Sequence, residues 1–374
     1  MGTTELHIGI VGAGGFARFA VHAFLKAPGI KVIAVTDINK NAAQQTGEEL
    51  GLIVYDEIEP MFADKNIHLI YIATPPYLHY AQSKMALLSG KHVVCEKPAA
   101  LKTSEATELV ALARSRQLLY VVNLMQRYNP LFKIVKTIMQ EKILGDFLHG
   151  FFENYASDEN LGPAHWFWDE SKSGGIFIEH GVHFFDLFEG WLGEGRVVGA
   201  WQLQRPDVKE KIIDRVQATV LYNDGMVNFY HGFDQPKILD RQEMRLQFER
   251  GEITLNEWVP VKMKLHGLFK KQDLKKIEEL TQAYTIIKRT DEWQASDEVK
   301  GRFVEFSFDN HSAIEFENSL GKQSLYREML TAMISDQRDW IRNHDHTRII
   351  DDTNAVQSLR TAEQANMMAK NFNY

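Results

Sequence analysis

Gly12-x-Gly14-x-x-Ala17 lies between an apolar run, Leu6–Val11, and a helix-length stretch, Phe16–Lys26. Gly12 permits a tight turn, and Gly14 lets a backbone approach a pyrophosphate. Ala17, in place of a third glycine, keeps the helix close to the strand. Gly15 and Phe16 complete the turn, where the helix N-terminus offers unpaired N–H groups and a favourable dipole to phosphate. Asp37 ends the second apolar run, about 20 residues further on, where a carboxylate accepts hydrogen bonds from a ribose 2′-hydroxyl. The pattern predicts a bound dinucleotide. An acid at this point repels a 2′-phosphate and favours NAD, while the nearby cations Arg18 and Lys40 keep NADP open.

A second group of residues follows two later strands. Ala73-Thr74-Pro75-Pro76-Tyr77-Leu78-His79 ends the fourth, and Val94-Cys95-Glu96-Lys97-Pro98 ends the fifth. Ligands of open α/β sheets bind outside the carboxyl ends of the strands, so both segments face the same crevice as the glycine turn. Thr74 and Pro75 are expected to wall the nicotinamide half, with His79 bonding its ribose and Glu96 beside it. Lys97, near a nicotinamide and a substrate hydroxyl, could lower that hydroxyl's pKa or relay its proton.

The elements that must position these residues are readable from periodicity. Short apolar runs at Leu6–Val11, Lys31–Thr36, Ile67–Ala73, His92–Cys95 and Leu119–Val122 alternate with helix-length stretches at Phe16–Lys26, Asn39–Leu50, Leu78–Ser89 and Thr103–Arg116. Continuous apolar strands alternating with helices imply a doubly wound α/β domain, with a parallel sheet covered on both faces. Beyond residue 123 the pattern changes. Leu131–Gln140 and Gly175–Leu192 read as helices, and Asp146–Tyr155 as a strand. Extended runs dominate from Val197, with a hairpin signal at Asn223-Asp224-Gly225 and a second turn at Arg250-Gly251. Lys262–Asp297 is charged and irregular and reads as an insertion; helix returns from Leu325. The expected division is a Rossmann domain over 1–123 and an α+β domain with an open, mostly antiparallel sheet over 124–374. The final helices are free to pack back on the first domain.

Composition excludes other classes. A net charge of −8 over 374 residues argues against a general nucleic-acid binder. The single cysteine, Cys95, precludes an intrachain disulfide and suits a reducing, cytoplasmic compartment. No run of about 18 apolar residues exists to span a membrane. His344-x-His346 beside Asp345 reads as a solvated loop, so no metal is expected. Cys95, inside the fifth strand, reads as packing rather than as a nucleophile.

The chain resembles the glucose–fructose oxidoreductase/inositol dehydrogenase family, Gfo/Idh/MocA. The resemblance rests on the glycine turn, Thr74-Pro75-x-x-x-His79, Glu96-Lys97-Pro98, Arg127-Tyr128-Asn129-Pro130 and Gly174-Gly175-Ile176-Phe177-Ile178-Glu179-His180-Gly181-Val182-His183-Phe184-Phe185-Asp186. It spans both domains in the family's order. It implies hydride transfer between a nicotinamide cofactor and a hydroxyl-bearing carbon of a sugar, cyclitol or related polyol. The family's Asp-x-x-x-His pair reads here as Glu179 and His183, which a spacing of four places on one helical face. By that resemblance His183 takes the hydroxyl proton, Lys97 steadies the developing alkoxide and Glu179 tunes the pair. His180 lies about 60° round the helix from His183 and stays an alternative base. Trp166 resembles the family's tryptophan, while Phe167 stands where the family often has arginine. Asn154, Tyr155, His165, Trp166 and Asp169 are the expected substrate groups. Arg127 is expected either at the cofactor carboxamide or pairing across the domain junction. The open sheet implies a homo-oligomer, a dimer or tetramer. Relatives offer two alternatives: a glycosidase that oxidises its sugar transiently with bound NAD, and a non-catalytic NAD-sensing regulator. The presence of both Lys97 and His183 argues against the latter.

Overall fold

The computed structural model describes residues 5–206, 208, 211–223, 225–293 and 298–371. Asp224 of the expected hairpin turn and residues 294–297 of the expected insertion lie outside the described residues. The chain divides into two compact units. One comprises Met1–Tyr128, His165–Asp186 and Tyr326–Glu363; the other comprises Asn129–Ala164, Leu187–Leu325 and Gln364–Tyr374.

The first unit is built on six strands: β1 (Leu6–Val11), β2 (Ile30–Thr36), β3 (Ile53–Val54), β4 (Leu69–Ile72), β5 (His92–Cys95) and β6 (Tyr120–Val122). They align in the order β3-β2-β1-β4-β5-β6, every neighbouring pair parallel. The helices α1 (Gly15–Phe24), α2 (Lys40–Leu50), α3 (Ile58–Ala63), α4 (Pro76–Leu88) and α5 (Thr103–Ser115) connect them. All four residues of β4 are buried, as a central strand covered on both faces requires. Phe24 of α1 meets Tyr71 of β4 edge-on at 4.9 Å. Each such fully buried side chain contributes about 1.5–3 kcal/mol. Local chemistry sets the helix ends. Asn39 caps α2 by accepting from the Ala42 N–H at 3.2 Å, and Gly51, at φ 67°, ends that helix in the left-handed conformation. The strand order reverses between β1 and β4, so the turns after those strands flank a switch point.

Beyond β6 come α6 (Pro130–Gln140), β7 (Phe147–Ser157), α7 (Glu170–Ser173), a π-helical turn (Phe177–Gly181) and α8 (Val182–Leu192). The strands β8 (Arg196–Gln204), β9 (Ile213–Tyr222), β10 (Gly225–Gln235), β11 (Arg241–Phe248), β12 (Gly251–Asn256) and β13 (Lys262–Phe269) follow. Then come α9 (Lys271–Leu280), β14 (Tyr284–Trp293), a small hairpin of β15 (Glu298–Gly301) and β16 (Val304–Ser307), and β17 (Asn310–Asn318). The helices α10 (Gly321–Arg342) and α11 (Asp352–Asn371) complete the described chain.

The second unit holds a nine-stranded sheet in the order β14-β17-β13-β12-β11-β7-β10-β9-β8. Among the described residues β7 and β10 run parallel, and the other neighbouring strands of this sheet run antiparallel. On its covered face Phe152, Phe229 and Met244 are buried, and Phe188 of α8 meets Phe229 edge-on at 5.1 Å. Trp191 stacks on Phe132 of α6 at 5.7 Å and donates its indole N–H to the Phe132 carbonyl at 3.0 Å. The segment expected as an irregular insertion instead holds β13, α9 and the whole of β14. Met263, Leu265 and Phe269 of β13 are buried while Lys262 and Lys264 are exposed. Charge on the open face masks this period-two pattern from a reading by composition.

Candidate active site

Gly12 begins the turn after β1 at φ +103°, and a Cβ there would stand 2.6 Å from the Ala73 carbonyl oxygen. Only glycine lets the turn lie this close to the end of β4. At Gly14 and Gly15 a Cβ would meet nothing within 4 Å. Gly14 is the N-cap of α1 and no side chain caps that helix, so its first N–H groups are left for a ligand. Ala17 is buried against the sheet. Asp37 accepts from the Ala13 N–H through Oδ2 at 2.6 Å and from the Asn39 N–H through Oδ1 at 2.7 Å. It thereby pins the glycine turn, and each oxygen keeps a lone pair for a ribose hydroxyl. An open cradle, an uncapped helix N-terminus and an acid at its edge fit a dinucleotide. The two cations are engaged elsewhere: Arg18 lies 3.9 Å from Glu49, and Lys40 lies 3.5 Å from Glu57 and bonds the Asp56 carbonyl. Ile38, 98% exposed beside Asp37, offers apolar surface at the edge of the cradle that the glycine motif does not disclose. Phe16 is partly exposed and tilts against Tyr326 of α10 at 6.1 Å.

His79 is wholly buried, with Nε2 2.7 Å from the Thr74 carbonyl and Nδ1 2.7 Å from the Pro98 carbonyl. Both ring nitrogens are directed inward, which corrects its expected ribose contact: its influence runs through the two loops it joins. Burial lowers its pKa, against the raising effect of those carbonyls. Thr74 Oγ1 donates to Gln82 at 2.6 Å. The Lys97–Pro98 peptide is cis. The Glu96 carboxylate also turns inward, accepting from the Tyr71 hydroxyl and from Asn123 Nδ2 at 2.7 Å. Burial raises its pKa. Glu96 therefore braces the β5 end from beneath, and Tyr71 and Asn123 are partners the sequence motif did not disclose.

Lys97 comes from the end of β5, and Glu179 from the π-helical turn. Lys97 Nζ donates to the Glu179 carboxylate at 2.5 Å and to its backbone carbonyl at 2.8 Å. The side chains are 18% and 13% exposed, so the pair is little screened by water. Gly174 and Gly175, at φ +79° and +89°, deliver the chain into this turn. A Cβ on Gly174 would stand 2.7 Å from Ile178. The turn's wider period departs from the 3.6 residues used to align Glu179 with His183, and such turns recur at functional sites. His183 follows at the start of α8, 6% exposed. Burial first, then the Lys97 charge and His180, hold its pKa well below the ordinary imidazole value. Burial and Lys97 likewise push His180 down to about 3. Both rings are neutral at pH 7. On the next turn of α8, Asp186 receives a fork from Arg127, Nε to Oδ2 and Nη2 to Oδ1, each 2.8 Å. Burial lifts Asp186 to about 6, opposed by Arg127. Arg127 thus pairs inside the first unit.

Two models of one family match this chain. The oxidoreductase family with an NAD-binding Rossmann fold, GFO/IDH/MocA, matches residues 6–124, and the GFO/IDH/MocA C-terminal domain matches residues 132–254. The chain belongs to this family. Among GFO/IDH/MocA relatives, the levoglucosan dehydrogenase of Pseudarthrobacter phenanthrenivorans is 26% identical over 54% of this chain and 56% of its own length. The scyllo-inositol 2-dehydrogenase (NAD(+)) of Bacillus subtilis is 26% identical over 50% of this chain and 54% of its own. The matches span from 36% to 56% of the length of these and other curated relatives. The crystal structure of the WlbA dehydrogenase from Bordetella pertussis, in complex with NADH and UDP-GlcNAcA, shares the fold. It has a TM-score of 0.79 and 18% identity over 99% of this chain and 97% of its own.

Of the expected substrate groups, His165, Trp166 and Asp169 belong to the first unit and Asn154 and Tyr155 to the second. His165 caps a short 3-10 turn, accepting from the Phe167 N–H at 3.2 Å, and its ring lies 5.2 Å from Trp166. Phe167 is buried, a packing residue where the family often has arginine. Asp169 caps α7 through Ser171, at 3.0 Å to its N–H and 2.6 Å to its hydroxyl. Asn154 and Tyr155 are neighbours on β7, so they face opposite sides of the sheet. Asn154 is 1% exposed and donates to the Gly232 carbonyl at 3.2 Å. Tyr155 lies on the open face under the Arg241 guanidinium, 4.2 Å away. Strand periodicity thus turns the two side chains to different faces.

Proposed function

We propose that this protein is an NAD-dependent dehydrogenase that oxidises a hydroxyl-bearing carbon of a sugar, cyclitol or related polyol. The observation that carries the proposal is Lys97 held by Glu179 a few residues before a buried, neutral His183. In this reading Gly12, Gly14, Gly15, Phe16, Ala17 and Asp37 hold the cofactor, with Thr74 and Pro75 walling its nicotinamide half. Residues 1–123 bind the cofactor, and 124–374 supply substrate and assembly groups. A bound nicotinamide dinucleotide supplies the hydride acceptor. His183 takes the hydroxyl proton as the carbon becomes a ketone, and later passes that proton to solvent. Lys97 stays charged and stabilises the developing alkoxide, which lets a weakly basic imidazole complete the transfer. Glu179 orients Lys97; His79 and Glu96 set the loops from which it projects. Trp166 gives a surface on which a sugar ring can lie, flanked by His165.

The relatives that carry a sugar or cyclitol in their names support this substrate class. Asp37 at the edge of the cradle would repel a 2′-phosphate, and the nearby cations Arg18 and Lys40 are already turned to Glu49 and Glu57, which supports NAD. The half-exposed open face of the second unit's sheet, with Trp201, Leu221 and Met226, supports assembly into a dimer or tetramer. Light scattering would give the subunit number. Among the described residues no helix is long and apolar enough to cross a membrane.

A screen of sugars and polyols with NAD and NADP, followed at the nicotinamide absorbance band, tests the activity. Lys97→Ala and His183→Ala should retain NAD binding and lose about 10²–10⁴-fold in turnover. Near-full activity in both variants would overturn the assignment. Sugar cleavage without net NADH would point to a glycosidase instead.

A further inference from the structure

The first unit contains a cavity of about 230 Å³ where residues 117–119 lead into β6, lined by Arg114, Tyr120, Trp340, His344, Arg348 and Asp352 among others. All six strands of this sheet are parallel, so the cavity sits at their N-terminal ends. The glycine turn and Lys97 follow the C-terminal ends. This is a different place from the proposed active site, and the family motifs do not reach it.

We propose that this cavity binds a small anion bearing a carboxylate or phosphate group. The argument is one of surplus donors. Arg348 lies over the Trp340 ring at 4.5 Å, and the His344 ring stacks on the same indole at 4.4 Å and 11°. Among the described residues the guanidinium makes one hydrogen bond, to Gln337 Oε1 at 3.2 Å. Among the described residues no carboxylate lies within the 4.0 Å of an ion pair with it, although Asp351, Asp352 and Asp336 act on it from further away. Those three acids are engaged. Asp352 gives both oxygens to Arg114, at 2.6 and 3.0 Å. Asp351 caps α11 through Thr353, at 2.8 Å to its N–H and 2.6 Å to its hydroxyl. Asp336 accepts from Tyr128 at 2.6 Å and the Ile349 N–H at 2.9 Å, with His346 at 2.7 Å.

A guanidinium carries five N–H donors, and those of Arg348 are mostly unspent in a partly dry setting. Arg114 Nη1 adds another donor from the facing helix. Two guanidinium groups beside an aromatic wall suit an acceptor-only ligand with two or more oxygens, which arginine meets in a fork. The volume is below the roughly 300–1,000 Å³ of pockets for drug-sized ligands, so the ligand is small.

Tryptophan fluorescence of the full chain, titrated with sodium phosphate and separately with sodium succinate, tests this against sodium chloride at matched ionic strength. A saturable change with either anion and none with chloride is expected; which anion acts tells phosphate from carboxylate. The change should vanish in Trp340→Phe. Calorimetric affinity for the same anion should fall at least tenfold in Arg348→Gln. Arg114 is well exposed, so Arg114→Gln serves as a second variant that should fold; it frees Asp352 and should weaken binding by a similar factor. A response equal to that in chloride, or undiminished affinity in the folded variants, would overturn the proposal.

Discussion

Lys97 Nζ is bound twice by one residue, through the Glu179 carboxylate at 2.5 Å and the Glu179 carbonyl at 2.8 Å. The carbonyl contact depends on backbone alone, so a change of side chain removes half of the arrangement and leaves the other half. Glu179→Gln should therefore lower kcat by roughly 10–10²-fold, less than loss of the lysine itself, while the NAD dissociation constant stays within about twofold. Glu179→Asp keeps the charge but draws it back by about 1.5 Å. It should fall between the wild type and the glutamine variant. Steady-state kinetics together with cofactor titration separate these outcomes; a parallel loss of NAD binding would mean that Glu179 supports the fold rather than Lys97.

Asp37 ties the Ala13 N–H of the glycine turn to the end of β2. Replacing it has two expected effects with different signatures. Asp37→Ala removes the ribose acceptor and loosens the turn, which should raise KM for NAD about tenfold. It also removes the charge that opposes a 2′-phosphate, so the ratio of kcat/KM for NADP over NAD should rise by at least tenfold. Lys40 is held by Glu57 and the Asp56 carbonyl, so full NADP preference is not expected without a further change there. An unchanged cofactor ratio would count against the assigned role of Asp37.

Along the N-terminal edge of the same sheet, His92 accepts from the Leu119 N–H through Nδ1 at 2.9 Å. Burial, with His344 and His68 adding to it, holds its pKa down to about 4. The unfolded chain binds the proton near pH 6.5 and the folded chain does not. His92 therefore adds no pH dependence above about 6.5, and stability falls as pH drops from there towards 4, by up to about 1.4 kcal/mol per pH unit. His180 acts in the same direction down to about 3. Urea midpoints should fall across this window. His92→Asn keeps an acceptor for Leu119 and should take up about one proton fewer on unfolding; an unaltered acid slope would assign the effect elsewhere.

Much of this site is legible in the sequence because its parts are local. The glycine turn needs only the strand before it and the helix after it, and Lys97 needs only its strand end. The alternation of apolar runs sets the parallel sheet, since strands buried on both faces carry few polar residues. The π-helical turn is not legible, because no residue pattern distinguishes it from a helix of 3.6 residues per turn, and the chain widens there. Nor are the inward turns of His79 and Glu96, because their partners Pro98, Tyr71 and Asn123 are near only once the sheet has formed. The opposite facing of Asn154 and Tyr155 follows from strand periodicity, which polar residue type alone does not convey.

Arg127 and Asp186 show how such a long-range pair can be tested. The carboxylate is 1% exposed and the guanidinium 11%, joined by a two-armed fork. Asp186 lies three residues beyond His183 on α8, so the fork fixes that turn of helix as well as satisfying two buried charges. Removing Arg127 leaves the Asp186 carboxylate buried without its fork, at a cost of about 3–5 kcal/mol, whereas replacing both with apolar residues of similar volume is far milder. Arg127→Met should therefore destabilise strongly. The double variant Arg127→Met/Asp186→Leu should recover most of that loss in urea unfolding. Its stability and its activity should then part company. If the pair serves to hold His183, the double variant folds but keeps a reduced kcat with little change in KM. Recovery of stability and kcat together would reduce the pair to a structural role.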